Sequence, residues 1–288
     1  MQIQGFRLAA CTALLALVSS ACTSYGFARQ DIGLRHDAES DAVELMVVSH
    51  DLLETSASSA ATLAEVAAGK RLVILVDWPF EFPLDQMEDS LRDSADPLAP
   101  RALAFLQGIA VEEAGVWAGP EGERSLYQRL SIPHASQGLA LINEWINRTS
   151  LEQETGESIA RKWGPRTGEL FEAHVRAGKS WLALEQGALV LRAPLGPDGA
   201  ARALEELLRE VKGEEGDASL LWLAEALTAF SVADGVATLT FGPGEDGWIR
   251  LRPVPTPAAV EKRWAPAQGA PLPAEPPPGI ARFLAGGH

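Results

Sequence analysis

Two cysteines are the most reactive side chains of the chain, and their positions decide what each can do. Cys11 lies within the apolar run of residues 8–18, and Cys22 follows that run after Ser19-Ser20-Ala21. A cysteine can act as a nucleophile, bind a metal, form a disulfide or carry a lipid. Removal of residues 1–21 as a secretory signal would leave Cys22 as the only thiol. If Cys22 is also acylated, no free thiol remains, and disulfides, cysteine-based metal sites and thiol catalysis are all excluded.

Five histidines and several serines are the remaining candidates for catalysis or metal binding. No two histidines have the HExxH spacing or share a predicted helical face, and no Gly-x-Ser-x-Gly turn is present. The sequence therefore predicts no metal, no cofactor and no catalytic residue. A Ser–His–Asp set assembled from distant residues stays open, because such sets are recognised by geometry. The histidines are His36, His50, His134, His174 and His288.

Residues 173–180 (AHVRAGKS) resemble a relaxed phosphate-binding loop with alanine in place of the first glycine. Such a loop follows a strand and precedes a helix, so that backbone amides at the helix start hold the phosphates. Here the predicted order is inverted, since residues 169–176 are helical and residues 181–184 form a strand. We therefore interpret Gly178 as a helix C-cap and predict no nucleotide binding.

Eight tryptophans are the compositional feature that best fits ligand binding. Exposed indole rings stack on sugars or peptides, but most tryptophans serve in cores and interfaces. Trp145, Trp222 and Trp264 have apolar neighbours within predicted helices, which favours core packing. Trp78 and Trp248 lie at a strand end or on an outward-facing position, and they are the better candidates for exposed aromatic contacts.

Composition predicts a folded, acidic chain. Apolar residues make up 47% and charged residues 22% of the 288 residues, and the net charge is −15. Loss of residues 1–21, which contain Arg7 and no acidic residue, would bring this charge to −16. Nucleic-acid binding needs clustered Lys and Arg, so nucleic acid is excluded as a partner. The charge also argues against electrostatic adhesion to anionic lipids.

The apolar and turn patterns predict an α+β fold in which antiparallel hairpins pack against helices. Hairpins are predicted at 115–132, 181–194 and 236–254. Helices are predicted at 51–68, 84–94, 100–110, 135–148, 199–211 and 217–230, with another around Trp264. The predicted organisation is a signal (1–21), a flexible tether (22–41), a first α+β half (42–149), a charged helical connector (150–179), a second α+β half (180–265) and a Pro-rich solvated tail (266–288).

The two halves resemble each other in the order of their elements. Ala118-Gly119-Pro120 and Phe241-Gly242-Pro243 occupy the same place in each half, 123 residues apart, and Pro133 and Pro255 close the two hairpins. A near-constant offset across several elements predicts an internal duplication. Chance similarity stays the alternative, because Gly-Pro turns are common.

The N-terminal segment resembles a bacterial lipoprotein signal. A polar start with Arg7 precedes the apolar run, small residues follow it, and Cys22 comes directly after Ala21. The resemblance covers residues 1–22 alone and implies that Cys22 carries the lipid. It departs from the usual pattern at Ser19, where leucine is common, which leaves cleavage without lipidation after Ala21 or Ala28 as an alternative. Cys22 would then be free for intermolecular pairing.

These observations predict an exported, lipid-anchored cell-envelope protein. The apolar run of 11 residues is shorter than the about 20 that span a bilayer, so the anchor is expected to be the lipid. Thr23 after the cysteine favours the outer membrane or its periplasmic face in a Gram-negative cell. The leading hypothesis is a non-enzymatic scaffold or partner-binding module for an envelope protein or glycan. The alternative is an envelope hydrolase or carbohydrate-active enzyme with a site assembled from distant residues.

Overall fold

The computed structural model describes residues 25–54, 59–74, 80–120, 122–152, 155–196, 199, 225–252, 262–264 and 272–286. Within these residues the chain is an α+β protein with antiparallel sheets, as the sequence predicts. The helices are α1 (Ser59–Ala67), α2 (Leu84–Arg92), α3 (Ala99–Leu106), α4 (Ala135–Glu152), α5 (Thr155–Trp163), α6 (Pro165–Arg176) and α7 (Pro278–Ala285). The strands are β1 (Tyr25–Gly26), β2 (Arg29–Asp37), β3 (Ala42–His50), β4 (Leu53–Glu54), β5 (Arg71–Ile74), β6 (Phe80–Pro83), β7 (Ala110–Ala118), β8 (Arg124–Ile132), β9 (Leu182–Glu185), β10 (Ala188–Pro194), β11 (Ala229–Ala233), β12 (Val236–Phe241), β13 (Ile249–Leu251) and β14 (Lys262–Arg263).

The described residues form two compact units. The first unit contains residues 25–133 and 243–286, and the second contains residues 134–242. The chain therefore leaves the first unit after β8 and returns to it before β13.

A five-stranded antiparallel sheet with the order β13-β2-β3-β8-β7 organises the first unit. Its central strand β3 is apolar on both faces, which is typical of a strand covered on both sides. On one face Leu45 and Val47 pack with Ile32 and Leu130, and all four are nearly inaccessible. The other face of β3 presents Met46 and Val48 to a second apolar cluster.

Helix α7 covers this second face of the sheet. Ile280 and Phe283 of α7 are buried against Met46, Val48 and Trp248. Gly33 of β2 makes the close approach possible, because a Cβ at this position would overlap the ring of Phe283. The predicted solvated tail over 266–288 is therefore wrong for residues 278–285. These residues form a helix because its apolar side chains are buried against the sheet.

The predicted flexible tether over 22–41 is also wrong for its described part. Residues 29–37 form β2, which pairs with β3 along its whole length. Before it, β1 pairs with β4 in a small sheet of order β1-β4-β14. Phe27 lies between β1 and β2, is 4% exposed, and packs with Leu52 and Trp264. One buried aromatic residue in a polar segment thus fixes the start of the fold.

In its described residues, the second unit packs three helices with the four-stranded sheet β11-β12-β10-β9. Helices α5 and α6 form a close hairpin, because Gly168 faces Ala160 with no room for a Cβ. Their core contains Ile159 and Phe171 together with Ile146 of α4 and Trp181 before β9. The predicted hairpin at 181–194 is confirmed as β9 and β10, and Gly178 ends α6 with a φ of 60°, as predicted for a C-cap.

The predicted second-half hairpin at 236–254 is wrong. Its first strand, β12, pairs with β10 and β11, whereas its second, β13, pairs with β2 of the first unit. The structure does not confirm the internal duplication that rested on this hairpin. Residues 262–263 are a strand rather than a helix, and Trp264 is buried beside it. Of the predicted helix at 51–68, residues 59–67 are helical, after the short strand β4.

Candidate functional site

Asp31, His50 and Ser125 lie side by side at one end of the five-stranded sheet. Arg29 of β2 is opposite His50 of β3, so Asp31, two residues further along β2, projects from the same face as His50. The β3–β8 register continues from Ser49 opposite Leu126, which brings Ser125 next to His50. Antiparallel pairing of three strands thus assembles these polar side chains from distant parts of the sequence.

The three side chains form a chain of polar contacts through the imidazole. His50 Nε2 lies 2.7 Å from Asp31 Oδ2, and Ser125 Oγ lies 3.4 Å from His50 Nδ1. The first distance is that of a strong hydrogen bond, and the second is near the limit for one. The ring of Trp117 meets the imidazole edge to face, with ring centroids 6.1 Å apart.

Asp31 is also bound by two arginines. Arg29 Nη2 lies 3.2 Å from Oδ2, and Arg252 Nε lies 3.1 Å from Oδ1. Burial acts to raise the pKa of Asp31, but the hydrogen bond with His50 and the charges of Arg29, His50 and Arg252 outweigh it. The pKa of Asp31 is therefore below its ordinary 3.8, and the carboxylate is ionised at neutral pH.

The cluster has the composition of a hydrolytic triad with a different geometry. In serine hydrolases the acid binds Nδ1 of histidine and the serine binds Nε2, whereas here these roles of the nitrogens are exchanged. Ser125 is 2% exposed, so its hydroxyl is buried in this structure. A shallow recess next to Asp31 is lined by neither His50 nor Ser125. The contacts of His50 with Asp31 and Ser125 link the three neighbouring strands β2, β3 and β8.

The predicted site residues are not brought together with this cluster. Cys22 and Trp78 lie outside the described residues. Trp248 is buried rather than exposed: it is 8% accessible, packs against Phe283 and lies under the guanidinium of Arg35. Trp248 does lie on the face of the sheet opposite to Leu251, as the alternation predicts, but α7 covers that face.

Local sequence patterns do not identify Asp31, Ser125 and the two arginines as neighbours. Arg29 and Asp31 lie in the polar segment 22–41, whose composition predicts a tether rather than the strand that they form. His50 stands at the polar end of an otherwise apolar strand, which is a weak signal by itself. The pairing of three strands, which brings these residues together, is not encoded in any local pattern.

A second polar network lies in the core of the other unit. Asn143 of α4 accepts hydrogen bonds from the backbone N–H groups of Trp181 (2.7 Å) and Leu182 (2.9 Å) and donates one to the carbonyl of Leu182 (2.8 Å). One turn along, Asn147 accepts a hydrogen bond from Trp181 Nε1 (2.7 Å) and donates to the carbonyl of Lys179 (3.1 Å). Two asparagines therefore fix the start of β9 on α4.

His174 of α6 stands beside this network without using it. It is 4% exposed, its ring lies 4.6 Å from that of Trp181, and neither ring nitrogen has a hydrogen-bond partner of good geometry among the described residues. Burial, followed by the charges of Lys179 and Arg192, lowers the pKa of His174 below 6.5, although the backbone of Ser180 acts in the opposite direction. The imidazole is thus neutral at pH 7 and serves as part of an aromatic core.

No protein-family model, curated protein or solved structure matches the chain. Within the described ranges, no helix is both long enough and apolar enough to cross a membrane. The same part of the chain contains no group of three or more His, Cys, Asp or Glu side chains arranged to hold a metal ion.

Proposed function

We propose that the protein is an exported envelope protein, anchored by a lipid on Cys22, that acts as a non-enzymatic scaffold or partner-binding module. The observation that carries the proposal is the position of Cys22. This residue ends the signal-like segment and stands three residues before Tyr25, the first residue of β1. An anchor at Cys22 leaves all of the described fold on the mature chain.

The burial of Phe27 argues against one of the alternative cleavage sites. Cleavage after Ala28 would remove β1 together with Phe27, which is 4% exposed in an apolar cluster with Leu52 and Trp264. Loss of a buried phenylalanine side chain costs about 3–5 kcal/mol, and the pairing of β1 with β4 would be lost as well. A mature chain that begins at Cys22 keeps these interactions.

The contacts and burial of Asp31 and Ser125 support a non-enzymatic role. Asp31 is held by three cationic or hydrogen-bonding groups, and Ser125 is buried, so both side chains stabilise the end of the sheet. An envelope hydrolase stays the second candidate because Asp31, His50 and Ser125 do meet.

A fluorophosphonate probe, which labels activated serines, separates these two candidates. Wild type and Ser125→Ala are expected to be equally unlabelled, because Ser125 is inaccessible. Labelling of wild type that Ser125→Ala abolishes would favour the hydrolase.

Incorporation of a palmitate analogue in cells tests the anchor. Wild type is expected to be labelled and recovered with membranes, and Cys22→Ala is expected to lose both properties. Affinity capture from the native envelope then tests the partner-binding role, with Cys22→Ala as the matched control. Specific partners captured with wild type support a scaffold, and capture of no partner by either protein would contradict it.

A further inference from the structure

The end of the first unit that follows Cys22 differs in its charges from the opposite end. We call the anchor end the region where β2 begins, β3 ends and the turn 119–123 joins β7 to β8. The antiparallel register of the sheet brings these three features together. The opposite end contains the turn 38–41 between β2 and β3 and the loop that precedes β13.

The chain between Cys22 and the fold is short. Three residue steps separate Cys22 from Tyr25, and an extended chain spans at most about 3.5 Å per residue, or roughly 10 Å in all. Tyr25 is held by pairing with Glu54, and Phe27 is fixed in the core. A lipid on Cys22 would therefore hold the anchor end within headgroup distance of the bilayer.

Among the described side chains of the anchor end, Arg29 and Arg252 are the most exposed charged groups. The side chains of Arg29 and Arg252 are 55% and 42% exposed, whereas the Asp31 carboxylate that they share is 8% exposed. Two other acids at this end, Asp51 and Glu123, are half-buried. The two partly exposed arginine side chains thus flank a buried negative charge.

Acidic side chains dominate the opposite end. Asp37, Glu39, Glu245 and Asp246 are all exposed there. Arg35, on the same face of β2 as Arg29, pairs with Glu44 and stacks on Trp248. Six residues of strand separate Arg29 from Arg35, which corresponds to about 20 Å. The unit therefore has a charge polarity along its strands, although the whole chain is strongly acidic.

We infer that the anchor end lies against the bilayer that holds the lipid, with Arg29 and Arg252 contacting anionic phospholipid headgroups and the acidic end directed away. The inference rests on the proposed lipidation of Cys22. Net charge repels the protein as a whole from an anionic surface, but an anchored protein can still direct the exposed side chains of Arg29 and Arg252 toward that surface. Each Arg near the headgroups is expected to favour the contact by roughly fivefold.

The single thiol allows the contact to be tested without the native lipidation machinery. The mature chain from Cys22 has no other cysteine and can be coupled to a maleimide lipid in vesicles. Hydrogen–deuterium exchange is compared on vesicles of phosphatidylcholine alone and on vesicles that also contain phosphatidylglycerol. The turn 119–123 is expected to exchange at least about threefold more slowly on the anionic vesicles, and the turn 38–41 is expected to exchange equally on both.

Matched variants identify the groups responsible. Arg29→Gln with Arg252→Gln is expected to remove the difference between the vesicles, whereas Arg35→Gln, the same change at the opposite end, is expected to keep it. Arg29→Lys with Arg252→Lys retains the charges and is expected to keep the difference, which separates loss of charge from damage to the Asp31 cluster. Higher salt should reduce the difference in wild type.

Three results would overturn the inference: equal exchange of the turn 119–123 on both vesicles, protection of the turn 38–41 instead, or an unchanged difference in the double Gln variant. The wild-type comparison stands by itself if the double Gln variant does not fold. Because the lipid is attached chemically, a negative result here concerns the membrane contact alone. Absence of palmitate labelling in cells would instead contradict the anchor.

Discussion

Replacement of Asn143 by alanine is expected to destabilise the second unit by about 2–3 kcal/mol. The Asn143 side chain makes three hydrogen bonds to the backbone of Trp181 and Leu182, at 2.7, 2.8 and 2.9 Å. Each contributes about 1 kcal/mol, which gives about 3 kcal/mol in all. Trp181 is 7% exposed, so its backbone N–H stays unpaired in the variant, whereas water can reach the half-buried Leu182 and lower the total.

Urea unfolding followed by far-ultraviolet circular dichroism measures this loss in the mature chain. The two units can unfold in separate transitions, so the change is taken from the transition that shifts. Gln137→Ala, an exposed position on the same helix, is the matched control and should change stability by less than about 0.5 kcal/mol. A loss below about 0.5 kcal/mol for Asn143→Ala would refute the view that this side chain fixes β9 on α4.

Three further outcomes follow from buried side chains. Folding lowers the pKa of His174 below 6.5, so the stability that depends on the neutral ring is fully present above pH 6.5. It is lost as pH falls from 6.5 toward the lower folded pKa. His174→Phe should flatten the stability curve in that window, and an unchanged curve would contradict a buried neutral ring. The pKa of Asp31 is lowered as well, so the stability that its carboxylate contributes is present above pH 3.8 and is lost as pH falls through the folded pKa. Asp31→Asn should therefore be less stable than wild type at pH 7 and equally stable in acid. Thermal melts over an acid titration measure this difference. Phe283→Ala should cost about 3–4 kcal/mol by calorimetry because this ring is 4% exposed against Trp248, and a neutral effect would mean that α7 does not cover the sheet.

Local patterns of sequence predicted the elements that are continuous along the chain. The hairpin of β9 and β10, the amphipathic helix α4 and the C-cap at Gly178 are each determined by residues within a few positions, and all three are confirmed. The fold class followed from the same local signals.

Long-range pairing could not be predicted in this way. β13 pairs with β2 across more than 200 residues of sequence, and nothing near Ile249 indicates that partner rather than β12. The prolines of residues 266–288 predict a solvated tail, whereas the burial of Ile280 and Phe283 depends on the open face of the sheet above Gly33. The Asp31–His50–Ser125 cluster was missed for the same reason, since three strands must pair before it exists.

Mass spectrometry of the N-terminal peptide from the membrane fraction tests the central claim most directly. The account predicts that the mature chain begins at Cys22 and that this residue carries a diacylglyceryl group. An unmodified Cys22 at the N-terminus would contradict the lipid anchor, and a chain that begins at Arg29 would contradict both the anchor and the role of Phe27 in the core.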